Sequence, residues 1–260
     1  TAFLYAGPAI NVLAVLLTAG SYTSSEPIRI QTSGVVLRGE GQGTGGTVIT
    51  ATASSQIVLI EVVGDSGVDT VDGSTQRIVT GTVPVGSCIF EVEDASGYSP
   101  GDTVAVRRTP NSDWIDDIGM DAYDWDEGSF DIVHERVLTS VDTVTGVVEI
   151  DVPSVDGMSD AYGGGQLELL DTSDRIHHVG IEDLRLDSEY DGSEDEDHAW
   201  TGILLEDVEN AWVRRVTSLH FGREAVKVDG DSHRITVEDC AMLDPISEIT
   251  GNRRYPFSVD

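Results

Sequence analysis

Basic and aromatic side chains recur just before three similar strand-like runs near the end of the chain. The runs are GILLE (202–206), AVKVD (225–229) and FSVD (257–260). Counting back three residues from the first inward apolar position of each run gives Trp200, Arg223 and Arg254. Guanidinium groups bind carboxylate or sulfate through paired hydrogen bonds, and a Trp ring offers a flat face to a sugar. We call this set the cation ladder, and its neighbouring members are His198, His220, Arg253, Tyr255 and Lys227.

The charge around the cation ladder differs from that of the whole chain. Residues 214–254 contain seven basic and seven acidic side chains, whereas the 260-residue chain has a formal charge of −32. A locally neutral strip in an acidic protein favours an anionic substrate. The alternative is that these Arg residues pair with neighbouring Asp and Glu side chains and have no ligand.

Two sets of carboxylates offer other chemistry. Glu206, Asp229 and Asp260 end the three runs, so strands stacked about 4.8 Å apart would bring them close enough for glycoside hydrolysis. The segment DSEYDGSEDEDHAW (187–200) has seven carboxylates in eleven residues, which are oxygen ligands of the kind that Ca²⁺ takes. Its candidate ligands are Asp191, Asp195 and Asp197, and a solvated acidic loop is the alternative reading.

A repeated strand pattern must position these side chains. The segments VGIEDLRL, AWVRRVTS and ITVEDCAM align so that Ile181, Val213 and Val237 share a column, at offsets of 32 and 24 residues. The three runs above align in a second register, with Ile203, Val226 and Phe257 in one column. Short β-branched runs that recur in this way predict coils that stack parallel on one another and bury their apolar columns. An antiparallel sandwich is the competing architecture.

The N-terminal sequence adds a resemblance to a known family. The run LLTAGSYTSSEPIRI, followed by SGVVLRGEGQGTGGTVI, resembles the first coils of the pectate-lyase-like superfamily of right-handed β-helices, although Thr18 replaces the usual proline. The resemblance covers about 40 residues and implies an all-β, single-stranded, right-handed parallel β-helix. The superfamily includes lyases, hydrolases, epimerases and phage tailspikes, so the resemblance implies an activity on carbohydrate without choosing one.

Together with the neutral strip, the resemblance makes a lyase of an acidic, uronate-containing polysaccharide the first hypothesis. In β-elimination a base removes the proton α to a uronate carboxylate, a cation neutralises that carboxylate, and an acid assists the leaving oxygen. The roles fall on the cation ladder, where Trp200 would stack on a sugar. The candidate bases are Lys227, His220 and Arg223, the neutralisers Arg253 and Arg254, and the acids Tyr255 and His198. Superfamily lyases sometimes use Ca²⁺ as the neutraliser. The alternatives are a hydrolase that uses the stacked carboxylates and a non-catalytic, tailspike-like glycan binder.

The repeat divides the chain into three regions. We predict N-terminal coils at 1–98, a β-rich insertion at 99–170 and further coils at 171–260 that continue beyond the chain end. The insertion contains the acidic segment WIDDIGMDAYDWDEGSF and a predicted hairpin that turns near Asp142–Gly146. Its aromatic residues would either stack on sugar rings or form the insertion's own core. They are Trp114, Tyr123, Trp125 and Phe130.

Composition limits the partners and the location. With 47 acidic and only 15 basic residues, the chain carries a negative charge that would repel nucleic acid and anionic membranes. Lys227 is its single lysine. Abundant Asp with almost no Lys favours a salt-adapted organism, although cation sites would also account for some of the acidity. For a protein that resembles this superfamily we expect a secreted or cell-surface location. The longest early apolar run, AINVLAVLL, has nine residues and is too short to span a membrane. Two cysteines, Cys88 and Cys240, make a disulfide scaffold improbable.

Overall fold

The computed structural model describes residues 2–7, 10–65 and 67–260. The chain divides into two compact units, and each is described by itself. One unit, called here the β-helix unit, comprises Thr1–Gly67 and Ser173–Asp260. The other, the inserted unit, is Val68–Thr172. The insertion thus starts about thirty residues before the predicted residue 99, because the strand-like runs at 76–92 pair within the inserted unit. Alternating runs of this kind do not reveal whether their partners are parallel or antiparallel.

Short strands account for most of the regular structure. The first seven are β1 (Ala2–Gly7), β2 (Ile10–Leu16), β3 (Gly20–Ser24), β4 (Ile28–Ile30), β5 (Val35–Arg38), β6 (Thr47–Ala51) and β7 (Val58–Val63). The inserted unit contains β8 (Asp69–Thr70), β9 (Gln76–Arg77), β10 (Thr82–Val83), β11 (Ile89–Glu91), β12 (Thr103–Arg108), β13 (Ile132–Val141), β14 (Val147–Ile150), β15 (Met158–Ser159) and β16 (Gly165–Asp171). The chain ends with β17 (Ile176–His177), β18 (Gly180–Ser188), β19 (Thr201–Glu206), β20 (Val208–Glu209), β21 (Trp212–Leu219), β22 (Glu224–Asp229), β23 (Thr236–Glu238), β24 (Ala241–Leu243) and β25 (Tyr255–Val259).

The β-helix unit is a stack of coils with parallel strands. One sheet runs β2-β5-β18-β21-β23 and includes the pairs β3-β6, β6-β18 and β21-β24, and a second runs β4-β7-β19-β22-β25. Strands β17 and β20 form a short third pair. Among the strands described here, only β1 pairs antiparallel within this unit, with β2. The predicted all-β parallel β-helix is therefore confirmed, and the sandwich alternative is wrong.

The predicted columns are also confirmed. Ile181 pairs with Val213, and Val213 with Val237. In the second sheet Ile203 pairs with Val226, and Val226 with Phe257. All of these residues except Phe257, which is 47% exposed on β25, belong to one apolar core that is fully buried at Ile181, Val213 and Ile203. Each coil therefore buries its apolar face against the next coil.

Left-handed backbone turns recur at the corners of these coils. Asp and Asn adopt a positive φ more readily than most residues because their short side chains can hydrogen-bond locally. Asp183, Asp207 and Asn210 occupy such positions, with φ of 59°, 53° and 51°. His220 has the same conformation at the end of β21, with φ of 64°.

The inserted unit is an antiparallel sheet with one short helix. Its strand order is β11-β14-β13-β12-β16-β8, and β10 and β15 form a separate pair. The predicted hairpin is confirmed as β13–β14, where the N–H of Gly146 donates to the carbonyl of Asp142 over 2.9 Å. Helix α1 (Ser112–Asp117) is capped by the Asn111 side chain, which accepts from the N–H of Trp114. The structure contains 3₁₀ turns at Asp121–Tyr123 and Asp160–Tyr162. No helix among the described residues is long and apolar enough to cross a bilayer.

Candidate functional site

An open groove of about 800 Å³ lies on the β-helix unit. It is lined by hydroxyl groups after β6, by the acidic loop after β18 and by the residue that follows β21, and we call it the acidic groove. The sequence already shows that the loop is acidic. The structure shows that hydroxyl groups from another coil line the same groove. The lining residues are Thr50, Thr52, Ala53, Ser54, Asp187, Ser188, Glu189, Tyr190, Asp191, Asp195, Asp197 and His220.

An ordered carboxylate–imidazole pair lies in this groove. His220 Nδ1 is 2.7 Å from Asp187 Oδ1, and the same carboxylate oxygen accepts from the N–H of Ser188 over 2.8 Å. A carboxylate only accepts, so Nδ1 of His220 carries the proton and Nε2 of the neutral ring is left as the acceptor. The two side chains are 22% and 28% exposed, so the pair is partly shielded yet open to a ligand. His220 is therefore positioned to take a proton from a bound molecule.

An aromatic ring stands beside this pair. The Tyr190 ring is 4.9 Å from the His220 ring, centroid to centroid, at an interplanar angle of 49°. Tyr190 is 43% exposed. An exposed tyrosine presents both a flat apolar face and a hydroxyl, which suits a pyranose ring.

The acidic loop uses part of its charge to hold its own shape. The Asp195 carboxylate accepts from the N–H groups of Asp191 and Asp197, each over 2.9 Å. These backbone hydrogen bonds lower the pKa of Asp195 below its ordinary value. In the described part of the chain, no group of three or more His, Cys, Asp or Glu side chains is arranged to hold a metal ion. The structure therefore does not bring the predicted ligands Asp191, Asp195 and Asp197 together as a cation site.

The cation ladder has the predicted backbone register. The N–H of Arg223 donates to the carbonyl of Trp200 over 2.8 Å, and the N–H of Arg254 donates to that of Gly222 over 3.2 Å. The guanidinium groups, however, are used within the protein. Arg223 Nε is 2.8 Å from Oε1 of the buried Glu224. The Arg254 guanidinium donates to the carbonyl and hydroxyl of Ser247.

Other ladder members are equally occupied. The Arg253 guanidinium donates to both carboxylate oxygens of Glu196 and lies 5.1 Å from the centre of the Trp200 ring. His198 is only 1% exposed, and its two ring nitrogens contact the Ser188 hydroxyl and the Ile246 carbonyl over 2.9 and 3.0 Å. This places His198 in the interior, away from a substrate. Tyr255 is 49% exposed on β25 and does not line the acidic groove.

The three stacked carboxylates form a second candidate site on the outer face of the second sheet. Glu206 pairs in register with Asp229, and the N–H of Asp260 donates to the carbonyl of Val228. We call Glu206, Asp229 and Asp260 the carboxylate row. The Lys227 ammonium contacts both Asp229 and Asp260, the latter over 3.0 Å.

The members of this row have opposite pKa shifts. Burial and then the charges of Asp207 and Asp229 raise the pKa of Glu206. The hydrogen bond from Lys227 lowers the pKa of Asp229. The same contact raises the pKa of Lys227, which keeps its amine protonated and opposes the role of a base.

Sequence reasoning did not single out Asp187 or Tyr190. Part of the signal was present, since the 32-residue offset that aligns Val179 with Ala211 also places Ser188 beside His220. That neighbour relation puts His220 beside the start of the acidic loop. The orientation of the Tyr190 ring depends on the path of the loop, which the repeat does not define.

No protein-family model and no curated protein matches this chain. Among solved structures it is similar to the tailspike gp49 of Pseudomonas phage LKA1, at 15% identity and a TM-score of 0.50, covering 87% of this chain and 37% of that one. It is also similar to the gp54 tailspike of Acinetobacter baumannii bacteriophage AP22, which was solved in complex with an A. baumannii capsular saccharide. The identity is 11% and the TM-score 0.37, and the match covers 87% of this chain and 41% of that one. A third similar structure is the gp61 tailspike of Pseudomonas phage phi297, at 12% identity and a TM-score of 0.42. The match covers 90% of this chain and 40% of that one.

The chain spans about two fifths of the length of these tailspikes. At such identities the likeness to gp49 concerns the fold alone and agrees with the β-helix seen here. Membership of the pectate-lyase-like superfamily stays a prediction from the N-terminal sequence.

Proposed function

We propose that this protein is a carbohydrate-active, tailspike-like β-helix that binds a polysaccharide in the acidic groove. The observation that carries the proposal is the ordered Asp187–His220 pair beside the exposed Tyr190 ring, inside a groove of about 800 Å³. Grooves of this size suit small ligands of several hundred Å³, and hydroxyl and carboxylate groups suit the many hydroxyls of a sugar. Such a protein would act at a cell or virion surface.

The charge of the groove bears on the class of polysaccharide. Its lining includes five carboxylates, at Asp187, Glu189, Asp191, Asp195 and Asp197, and His220 is the only basic side chain in that lining. A uronate would therefore meet like charge without an Arg or Lys to neutralise it. We accordingly favour a neutral or amino-bearing glycan over the uronate polysaccharide that the sequence suggested.

The same charges bear on the reaction. Elimination needs a uronate with a neutralised carboxylate, whereas hydrolysis needs a water or hydroxyl and groups that transfer protons. His220, with Asp187 on Nδ1, supplies an acceptor at Nε2 for either reaction. We favour hydrolysis, and keep elimination with His220 as base as the alternative.

The carboxylate row is a second candidate site for hydrolysis. The raised pKa of Glu206 and the lowered pKa of Asp229 are the pattern of a proton donor beside an ionised carboxylate. Lys227 already neutralises Asp229, which leaves that carboxylate less available to a substrate. For this reason we rank the row below the groove.

Binding to a panel of hexasaccharides tests the proposal. The panel contains a neutral, an amino-bearing and a uronate hexasaccharide, and binding is measured by calorimetry. We expect Tyr190→Ala to weaken binding about twofold to tenfold, because an aromatic contact contributes about 0.5–1.5 kcal/mol. Tyr255→Ala is the matched control, since this tyrosine is similarly exposed outside the groove. Equal losses in both variants, or binding by none of the panel, would overturn the proposal.

A further inference from the structure

Three aromatic rings form a row in the inserted unit. Trp125 and Phe130 stack with centroids 3.7 Å apart and planes 10° apart, and Trp114 lies 6.3 Å from Trp125. The Arg108 guanidinium caps the row, 4.3 Å from the centre of the Trp114 ring. We call Trp114, Trp125 and Phe130 the aromatic row.

These rings do not serve as the core of their unit. That core is built from residues such as Phe90, Leu138 and Leu167, and it includes none of the three rings. Each ring of the row is only half-buried, and Ile115 is the one fully buried residue between positions 111 and 131. Stacked aromatic surface thus remains in contact with water, which is costly unless a ligand uses it.

The polar atoms of the row are also available. Among the described residues, the indole N–H groups of Trp114 and Trp125 have no hydrogen-bond partner, and neither group is buried. Both N–H groups therefore reach the surface. A flat ring with a free donor at its edge can stack on a sugar and donate to a hydroxyl of the same sugar.

The charge around the row selects among possible occupants. Residues 109–131 include eight Asp and Glu side chains and no Lys or Arg, so Arg108 over the Trp114 ring offsets only a small part of this negative charge. This charge repels nucleic acid, anionic glycans and a second copy of the same acidic surface. It attracts an ammonium group.

We infer that the aromatic row is a second saccharide-binding surface, for neutral or amino-bearing sugars. It stands on the inserted unit alone and does not depend on the acidic groove being a binding site. The aromatic surface that these contacts leave uncovered tolerates different sugars, because it makes apolar contacts rather than a hydrogen bond to each hydroxyl. It would add contacts to a long polysaccharide that also binds elsewhere on the protein.

The test uses the full chain carrying Tyr190→Ala. This background variant removes the contact that a glycan would make with the tyrosine of the acidic groove. Hexasaccharides of glucosamine, N-acetylglucosamine and galacturonic acid are titrated and followed by calorimetry and Trp fluorescence. We expect one or both of the first two to bind more tightly than the galacturonate. Adding Trp125→Ala or Phe130→Leu should weaken that binding about fivefold or more.

The controls separate binding from folding. Phe130→Leu keeps apolar volume without the ring, so a binding loss with a nearly unchanged Tm supports the proposal, and this variant decides the test should Trp125→Ala fail to fold. Trp212→Ala is the matched control, since Trp212 is also half-buried and also lies beside an arginine, Arg214, and belongs to none of the candidate sites. The proposal is wrong if none of the hexasaccharides binds, if galacturonate binds as tightly as the others, or if Phe130→Leu binds like its parent. Binding to the groove is measured separately in the chain with Tyr190 intact.

Discussion

The acidic groove and the carboxylate row both gather acids on the β-helix unit, but they differ in how those acids are neutralised. In the row, Lys227 contacts Asp229 and Asp260, so the charges are largely satisfied within the protein. In the groove, His220 is the one basic side chain in the lining, beside five carboxylates. A set of charges that is already paired contributes to structure, whereas a set left facing solvent is open to a ligand.

The cation ladder shows the same effect for basic side chains, which are paired within the protein. It has the predicted column of backbone positions, yet Arg253 is bound to Glu196 and Arg254 to Ser247. Substrate binding by these arginines would first require breaking contacts that the protein already makes. The alternative left open by the sequence, that the arginines pair with neighbouring carboxylates, describes Arg223 and Arg253, and Lys227 is paired in the same way.

The largest expected effect is on the rate of glycan cleavage, and it distinguishes the acidic groove from the carboxylate row as the active site. On a glycan that the protein cleaves, His220→Ala should lower turnover about 10²- to 10⁴-fold, which is the usual loss of a positioned proton acceptor. Asp187→Asn should also lower turnover, because it removes the carboxylate that fixes the tautomer. Lys227→Ala serves as the control and should leave the rate nearly unchanged. Reducing ends without ultraviolet-absorbing unsaturated ends would identify hydrolysis, and unsaturated ends would identify elimination.

The opposite pattern would transfer the chemistry to the row. If Glu206→Gln and Asp229→Asn abolish turnover while His220→Ala retains it, the carboxylate row is the active site. A chain that binds glycans and releases no product of either kind would instead be a binding protein, as the tailspike-like alternative states.

A smaller effect concerns the pH dependence of stability in the row. The folded-state pKa of Glu206 is raised above its ordinary value of 4.5, so its contribution is present below that pH and is lost as the pH rises through the raised pKa. Asp229 behaves in the opposite way. Its lowered pKa gives stability above its ordinary value of 3.8, which is lost as the pH falls through the folded-state pKa.

Glu206→Gln should therefore stabilise the protein at about pH 7 and have little effect at about pH 4. Because the group is at the surface, the gain should not exceed about 1 kcal/mol. Thermal melts of the variant and of the parent at both pH values measure it. A loss of stability at about pH 7 would show that the Glu206 carboxylate is paired rather than repelled.

Much of the fold could be predicted from the sequence because stacked coils repeat one physical problem. Ile181, Val213 and Val237 must each fill the same place in successive coils, so the alignment of apolar residues gives their register directly. The start of the inserted unit could not be predicted in this way. Residues 76–92 alternate like the coils, and only their antiparallel partners show that they belong elsewhere.

The site could be predicted only in part, for a related reason. Backbone columns follow from the repeat, and His220, Arg223 and Arg254 lie where the columns place them. Side-chain partners do not follow from the repeat, because the side-chain rotamer of Arg253 decides whether its guanidinium contacts Glu196 or faces solvent. The burial of His198 depends in the same way on Ser188 and Ile246, which come from different coils.

The most direct test of the account is to locate a bound glycan by hydrogen–deuterium exchange. The measurement compares the free chain with the chain saturated by whichever panel hexasaccharide binds. The account predicts slower exchange in the loop at 187–197 and around His220, with no change at the ends of β19 and β22. Protection confined to residues 204–206, 227–229 and 258–260 would contradict it and would place the glycan on the carboxylate row.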